Sequence, residues 1–171
     1  MGSTLKVDNI VGTSGTSAPI TLSGDTATLS GTGVTFPTGH VLRVFYQVST
    51  GSITVTSGTT IVTGVTQTLT PLSDTSKFLI MFSCNGRYNS GTDTTFQVQV
   101  YYGGSAIGGI ANMNQNNSDT NSPCSGSGSF LHSPSVATEI TYDIRLALTF
   151  GSGSFGLDSG HSHMTIMEVQ G

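Results

Sequence analysis

Four groups of residues have types or spacing that suggest chemistry. Gly151-Ser152-Gly153-Ser154-Phe155-Gly156 matches the G-x-G-x-x-G fingerprint directly after a strand-like run. A dinucleotide site also needs a helix after the glycines, because its N-terminus holds the phosphates. Here Leu157-Asp158-Ser159-Gly160 follows, which is turn-like, so these glycines read as a loop. His161-Ser162-His163 would place two imidazoles on one face of a strand. Around a threefold axis such pairs would form a nitrogen cage for a metal. A single pair without a second ligand cluster reads as surface or interface histidines, so no metal and no cofactor are expected. Asp143 and Arg145 sit two apart and read as partners across strands or across a subunit interface. Glu139, Asp143, Asp158 and Glu168 show no glycosidase spacing. His40 and His132 are isolated, and no G-x-S-x-G elbow is present, so no enzyme is expected.

Recognition is better served. Asn85–Thr94 reads as a polar turn carrying Arg87, Tyr88 and Asp93. Residues 111–129, ANMNQNNSDTNSPCSGSGS, read as a long polar loop with Asn114, Asn116 and Asn117. Loops of that length in compact domains are often functional. Asn offers both donors and acceptors, and an exposed Tyr offers a flat apolar face. That mixture suits a sugar, with hydroxyls on its rim and C–H groups on its faces. The competing reading is a solvated loop tip with no ligand.

Composition narrows the classes. Only 8% of the 171 residues are charged, against ~25% in ordinary chains. Ser, Thr and 23 Gly take their place, which disfavours long helices and leaves Thr and Val to favour strands. Five Lys and Arg and a net charge of −4 leave no basic stripe for nucleic acid. No apolar run is long enough to span a membrane as a helix. The opening MGSTLKVDNIVG lacks the apolar core of a secretion signal. Cys84 lies in an apolar run and Cys124 in the polar stretch, so two free thiols are expected.

The elements that must position these groups are strands. Ile140–Phe150 alternates strictly, with Ile140, Tyr142, Ile144, Leu146, Leu148 and Phe150 on one face. It predicts a half-buried antiparallel strand forming one wall of a β-sandwich. Lys77–Cys84 is a continuous apolar run, expected to be buried on both faces. Thr95–Tyr102 alternates, Gly103-Gly104-Ser105 is a hairpin turn, and Ala106–Ile110 returns. Short strands are predicted at His40–Val48, Ser52–Thr56, Thr59–Val65, Gln67–Thr70 and Ser129–His132, with Met164–Val169 closing the fold. The set predicts an all-β antiparallel sandwich or jelly roll over residues 37–171.

Residues 1–36 differ. They are Ser/Thr/Gly-rich, and Thr21-Leu22-Ser23-Gly24 returns as Thr28-Leu29-Ser30-Gly31. Their thin apolar pulses cannot build a core within one chain. They read equally as a flexible tail or as an extended shaft ordered by identical neighbours.

Two regions carry a family resemblance. Ser3-Thr4-Leu5-Lys6-Val7-Asp8-Asn9-Ile10, followed by Gly/Thr-rich sequence and Pro37-Thr38-Gly39-His40-Val41, resembles the N-terminus of fibre-like virion proteins of tailed, often aquatic, bacteriophages. Leu69-Thr70-Pro71 with Ser76-Lys77-Phe78-Leu79-Ile80, then Thr141-Tyr142-Asp143-Ile144-Arg145-Leu146, then Met164-Thr165-Ile166-Met167-Glu168-Val169 is similar to their C-terminal series. The motifs are short, and their order makes them specific. The resemblance implies a homotrimeric virion structural protein with a jelly-roll head of the tumour-necrosis-factor type. Residues 1–36 would attach it to other virion proteins. The leading expectation is a tail fibre or receptor-binding protein meeting a host surface glycan or outer-membrane protein. The alternative is a capsid decoration, cement or head-fibre protein, and a glycan-active enzyme is a distant third. That family often places an Arg-Asp pair before its hairpin turn, where this chain has Tyr101-Tyr102, so no role carries over there.

Overall fold

The computed structural model describes residues 9–10, 20–23, 26–29, 37–56, 60–91, 93–115, 121–151, 153–157 and 161–171. The chain divides into two compact units, Met1–Pro37 and Thr38–Gly171.

In the first unit β1 (Asn9–Ile10), β2 (Ile20–Ser23) and β3 (Thr26–Leu29) form a small antiparallel meander. The repeated tetrad straddles it, with Thr21 opposite Thr28 and Ile20 opposite Leu29.

The second unit is two packed antiparallel sheets, with no helix among the described residues. The first sheet contains β4 (Val41–Val48), β5 (Ile53–Thr56), β7 (Lys77–Gly91), β10 (Ser122–His132), β12 (Gly153–Leu157) and β13 (His163–Val169). Its order is β4-β13-β7-β12-β5, and β10 pairs with β7 along the whole of one edge. β13 and β12 share the other edge of β7 end to end, against Lys77–Ser83 and Gly86–Gly91 respectively. The second sheet has the order β6-β11-β8-β9, from β6 (Thr60–Leu69), β8 (Thr94–Tyr102), β9 (Ser105–Gln115) and β11 (Ile140–Phe150). The chain passes back and forth between the sheets, as a jelly roll requires.

The alternating strands face as their sequences dictate. Ile140, Tyr142, Ile144 and Leu146 of β11 are buried against Phe96, Val98 and Val100 of β8 and Phe78, Ile80 and Phe82 of β7. Phe150 departs from the expected inward face and is 65% exposed. The β11–β8 register shifts between Leu148 and Phe150, so the alternation breaks there. The run Lys77–Cys84 is buried on one face and not on both. Phe78, Ile80, Phe82 and Cys84 point into the core, while Leu79 and Met81 lie on the outer face and are half-buried.

Several boundaries differ from expectation. The two strands expected at Thr59–Val65 and Gln67–Thr70 are one, β6, which runs over Thr60–Leu69 and is bent by a bulge at Gly64, whose φ of 78° favours glycine; Thr59 lies outside the described residues. Asn85–Thr94 is not a turn, because β7 continues to Gly91. Residues 111–115 belong to β9 and residues 122–129 to β10, so these parts of the expected loop are strand, and 116–120 lie outside the described residues. Of the glycine fingerprint, Gly153 to Gly156 lie in β12 and not in a loop. Two glycines allow close approach, one between neighbouring strands and one between the sheets. A Cβ on Gly86 would lie 2.2 Å from the Gly156 carbonyl oxygen, and one on Gly126 would lie 2.9 Å from Met113 Cγ. The hairpin at Gly103-Gly104 matches its prediction, with both φ angles positive.

Candidate functional site

The junction where β7 exchanges β12 for β13 creates the site. β13 reaches Ser83 and β12 begins opposite Gly86, so Asn85 has no strand partner on that edge. Ser162 replaces the missing ladder. Its buried Oγ accepts from the Asn85 backbone N–H at 3.1 Å. The Asn85 side chain then donates to Ser83 Oγ at 3.1 Å and to the His161 carbonyl oxygen. The result is a cleft of about 300 Å³ lined by Asn85, Gly86, Arg87, Pro123, Cys124, Ser125 and His161.

The cleft offers a guanidinium, an imidazole, an amide and a hydroxyl beside the flat ring of Pro123. That set suits hydrogen bonding to a polar ligand better than bond-making. Cys124 faces the Tyr88 hydroxyl, and burial raises its thiol above the ordinary range. Burial likewise pushes the Cys84 thiol up to about 11, against a smaller opposing pull from Ser162. Both thiols are free and held protonated at neutral pH, which makes them poor nucleophiles.

Arg87 is exposed and lines this cleft. Its neighbour Tyr88 does not join it. Successive residues of β7 face opposite ways, and Tyr88 points into the core at 1% exposure. Its hydroxyl donates to the Met113 carbonyl oxygen, and its ring packs 5.6 Å from Phe96 and 5.4 Å from Phe155. Burial and the nearby Cys124 raise the Tyr88 phenol. The expectation that Tyr88 presents a flat face to a ligand is therefore corrected. Asp93 is exposed at the bend before β8. Asn114 is exposed on the outer face of β9, in the second sheet. Arg87 lies on the outer face of the first sheet, so the sandwich separates the two. Asn116 and Asn117 lie outside the described residues. The cleft residues that sequence reasoning did not connect to Arg87 are Asn85, Pro123, Ser125 and His161. The pairing of Pro123 with Arg87 and Ser125 with Asn85 brings two of them, and the bond from Asn85 to the His161 carbonyl oxygen marks the place of the third.

The remaining chemical groups have structural partners. Asp143 and Arg145 pair with each other along one strand, at 2.7 and 3.1 Å, and the guanidinium lies 4.2 Å over the Tyr101 ring. Glu168 is buried, pairs with Arg43, and accepts from the Leu72 backbone N–H at 2.6 Å. His132 Nδ1 lies 2.8 Å from the Tyr142 hydroxyl, and burial lowers its pKa. His161 borders the cleft, while His163 packs its ring 5.9 Å from Tyr46. Among the described residues no three His, Cys, Asp or Glu cluster as metal ligands.

No protein-family model matches the chain, and no curated protein does. Solved structures align with it, among them the following three. The infectious bursal disease virus Gx strain structure is 11% identical over 86% of this chain and 41% of its own, with a TM-score of 0.41. The D431N mutant VP2 protein of infectious bursal disease virus is 11% identical over 87% and 39%, with a TM-score of 0.42. The tripod from the baseplate of bacteriophage Tuc2009 is 13% identical over 95% and 84%, with a TM-score of 0.39. The chain thus spans about two fifths of the length of the two bursal disease virus chains. Likeness at this level transfers no function.

Proposed function

We propose that this chain is a structural protein of a tailed-phage virion, a homotrimer without catalytic activity or cofactor. Residues 1–36 would attach it to other virion proteins. Residues 37–171 would form a jelly-roll head that contacts a glycan or outer-membrane protein on the host surface. The observation that carries this reading is where the ordered motifs fall. Ser76–Ile80 opens β7, Thr141–Leu146 lies in β11, and Met164–Val169 lies in β13. Those strands are interior members of the two sheets, so the motifs that resemble the phage family are the framework of a single fold. Arg87 and the cleft around it are the polar feature best suited to a host ligand.

Capsid decoration is the second reading, and one observation favours it. Tyr88 is in the core, and much of residues 111–129 is strand, so the polar recognition surface is smaller than the sequence suggests. The test is antibody labelling of intact virions, joined to adsorption of phage carrying Arg87→Ala. Label at the tail tip with reduced adsorption is the expected result. Label over the head with unchanged adsorption would replace the host-binding reading with decoration, and no label on virions would overturn both.

A further inference from the structure

The two outer faces of the sandwich are chemically unlike. Sandwich strands normally alternate apolar residues inward with polar ones outward. The outer face of the second sheet obeys, presenting Thr66, Thr68, Gln97, Gln99, Asp143 and Arg145. The outer face of the first sheet does not. Val44, Met167, Leu79 and Leu131 stand opposite one another on β4, β13, β7 and β10, forming a complete row across four strands. In the neighbouring row Tyr46 and Met81 flank Thr165. Val44, Tyr46 and Leu131 are 57%, 60% and 56% exposed. With strands ~4.8 Å apart and same-face residues ~6.8 Å apart along them, these two rows cover roughly 260 Å².

Charge identifies the occupant. β4, β7, β10 and β13 contain one carboxylate, Glu168, and it is buried and paired with Arg43. The face therefore carries none of the chain's negative charge, although the chain as a whole is −4. It also lacks the basic cluster that an anionic membrane or nucleic acid requires. An apolar patch of this size, bordered by Lys77, Ser83, Ser127, Ser129 and His163, has the anatomy of a subunit interface core with a polar rim. Standard interfaces use ~800 Å² per partner, so this core is about a third of one. A second copy of this chain supplies a matching surface that holds no carboxylate. We infer that the outer face of β4-β13-β7-β10, centred on Val44, Leu79, Leu131 and Met167, is the seam between protomers. The inference rests on the homotrimer proposed above and says where that trimer closes.

The experiment compares three full-length chains by sedimentation equilibrium at micromolar concentration, with circular dichroism for folding. Wild type is expected at three times the chain mass. Val44→Lys with Leu131→Lys alters exposed positions and should yield folded monomer. Thr66→Lys with Thr149→Lys, on the opposite sheet, should remain trimeric. If the lysine pair fails to fold, Val44→Ser with Leu131→Ser should raise the dissociation constant at least tenfold. A trimer that survives both face variants overturns the seam and leaves the trimer standing. A wild-type dimer that only the face variants dissolve supports the seam and overturns the threefold reading. Monomeric wild type overturns both, and equal loss of association in the Thr66/Thr149 control overturns the seam.

Discussion

His132 shows how one side chain ties burial to pH. It packs its ring 5.0 Å from Tyr102 and 5.7 Å from Tyr142, and its Nδ1 meets the Tyr142 hydroxyl. The outward half of this cluster is wet, since His132 is only half-buried. Burial still disfavours the charged imidazolium, so the folded-state pKa lies below the ordinary 6.5. The unfolded chain then binds the proton more readily than the folded one. The stability contribution is complete above pH 6.5 and is lost as pH falls from there toward the folded-state value. Melting temperature should therefore be flat above neutrality and decline on acidification below it. His132→Phe should flatten that decline between pH 7 and 5 while lowering stability by ~1–2 kcal/mol at neutral pH, because the Tyr142 hydroxyl loses its partner. Thermal melts across that range check both arms. An unchanged slope in the variant would assign the acid sensitivity to other groups.

At the scale of the element, β11 tests whether facing is understood. Leu146 is fully buried, whereas Thr149 is exposed near the strand's end and donates to the Thr95 carbonyl oxygen at 3.2 Å. Leu146→Asp should prevent folding, since an unpaired buried carboxylate costs several kcal/mol against a net stability of ~5–15 kcal/mol. Thr149→Asp should shift stability by less than ~1 kcal/mol. Yield of soluble protein and urea midpoints measure the contrast. Strands of this kind were legible because their side chains alternate in polarity, as in Thr95–Tyr102 and Met164–Val169. β10, Ser-Pro-Cys-Ser-Gly-Ser-Gly-Ser-Phe-Leu-His, was legible only in its last four residues, Ser129–His132. Its inward positions include Gly126 and Gly128, which bury no side chain and leave no hydrophobic signal. β10 is specified by the free edge of β7, with which it pairs from Phe78 to Tyr88. The same blindness hid the cleft. Asn85, Pro123 and His161 are far apart in sequence; the pairing of β10 with β7 brings Pro123, and the exchange of β12 for β13 along β7 brings His161. Tyr88 was misread for a related reason: the polar residues around it resemble a turn, while the strand period continues through it.

At the scale of the molecule, the question is which unit holds the assembly together. The apolar pulses of residues 1–36 invite a shaft built from identical neighbours, which would make the N-terminal unit the organiser of the trimer. The head supplies a rival. Among the described residues, its buried cluster is drawn from both sheets of Thr38–Gly171. Its outer apolar face also lies wholly within that unit. Removing residues 1–37 should therefore leave the melting temperature of the head within ~3 °C of full length, because the core described above is built from strands of Thr38–Gly171. The truncated head should also remain three chains by sedimentation, since the row from Val44 to Leu131 is untouched. A head that folds but falls to monomer would give the organising role to the N-terminal unit, and the seam would then be too weak to close the trimer alone. A head that no longer folds would show that the two units share stability. Retained trimers combined with loss of incorporation into virions would divide the labour cleanly, with assembly in the sheet face and attachment in residues 1–36.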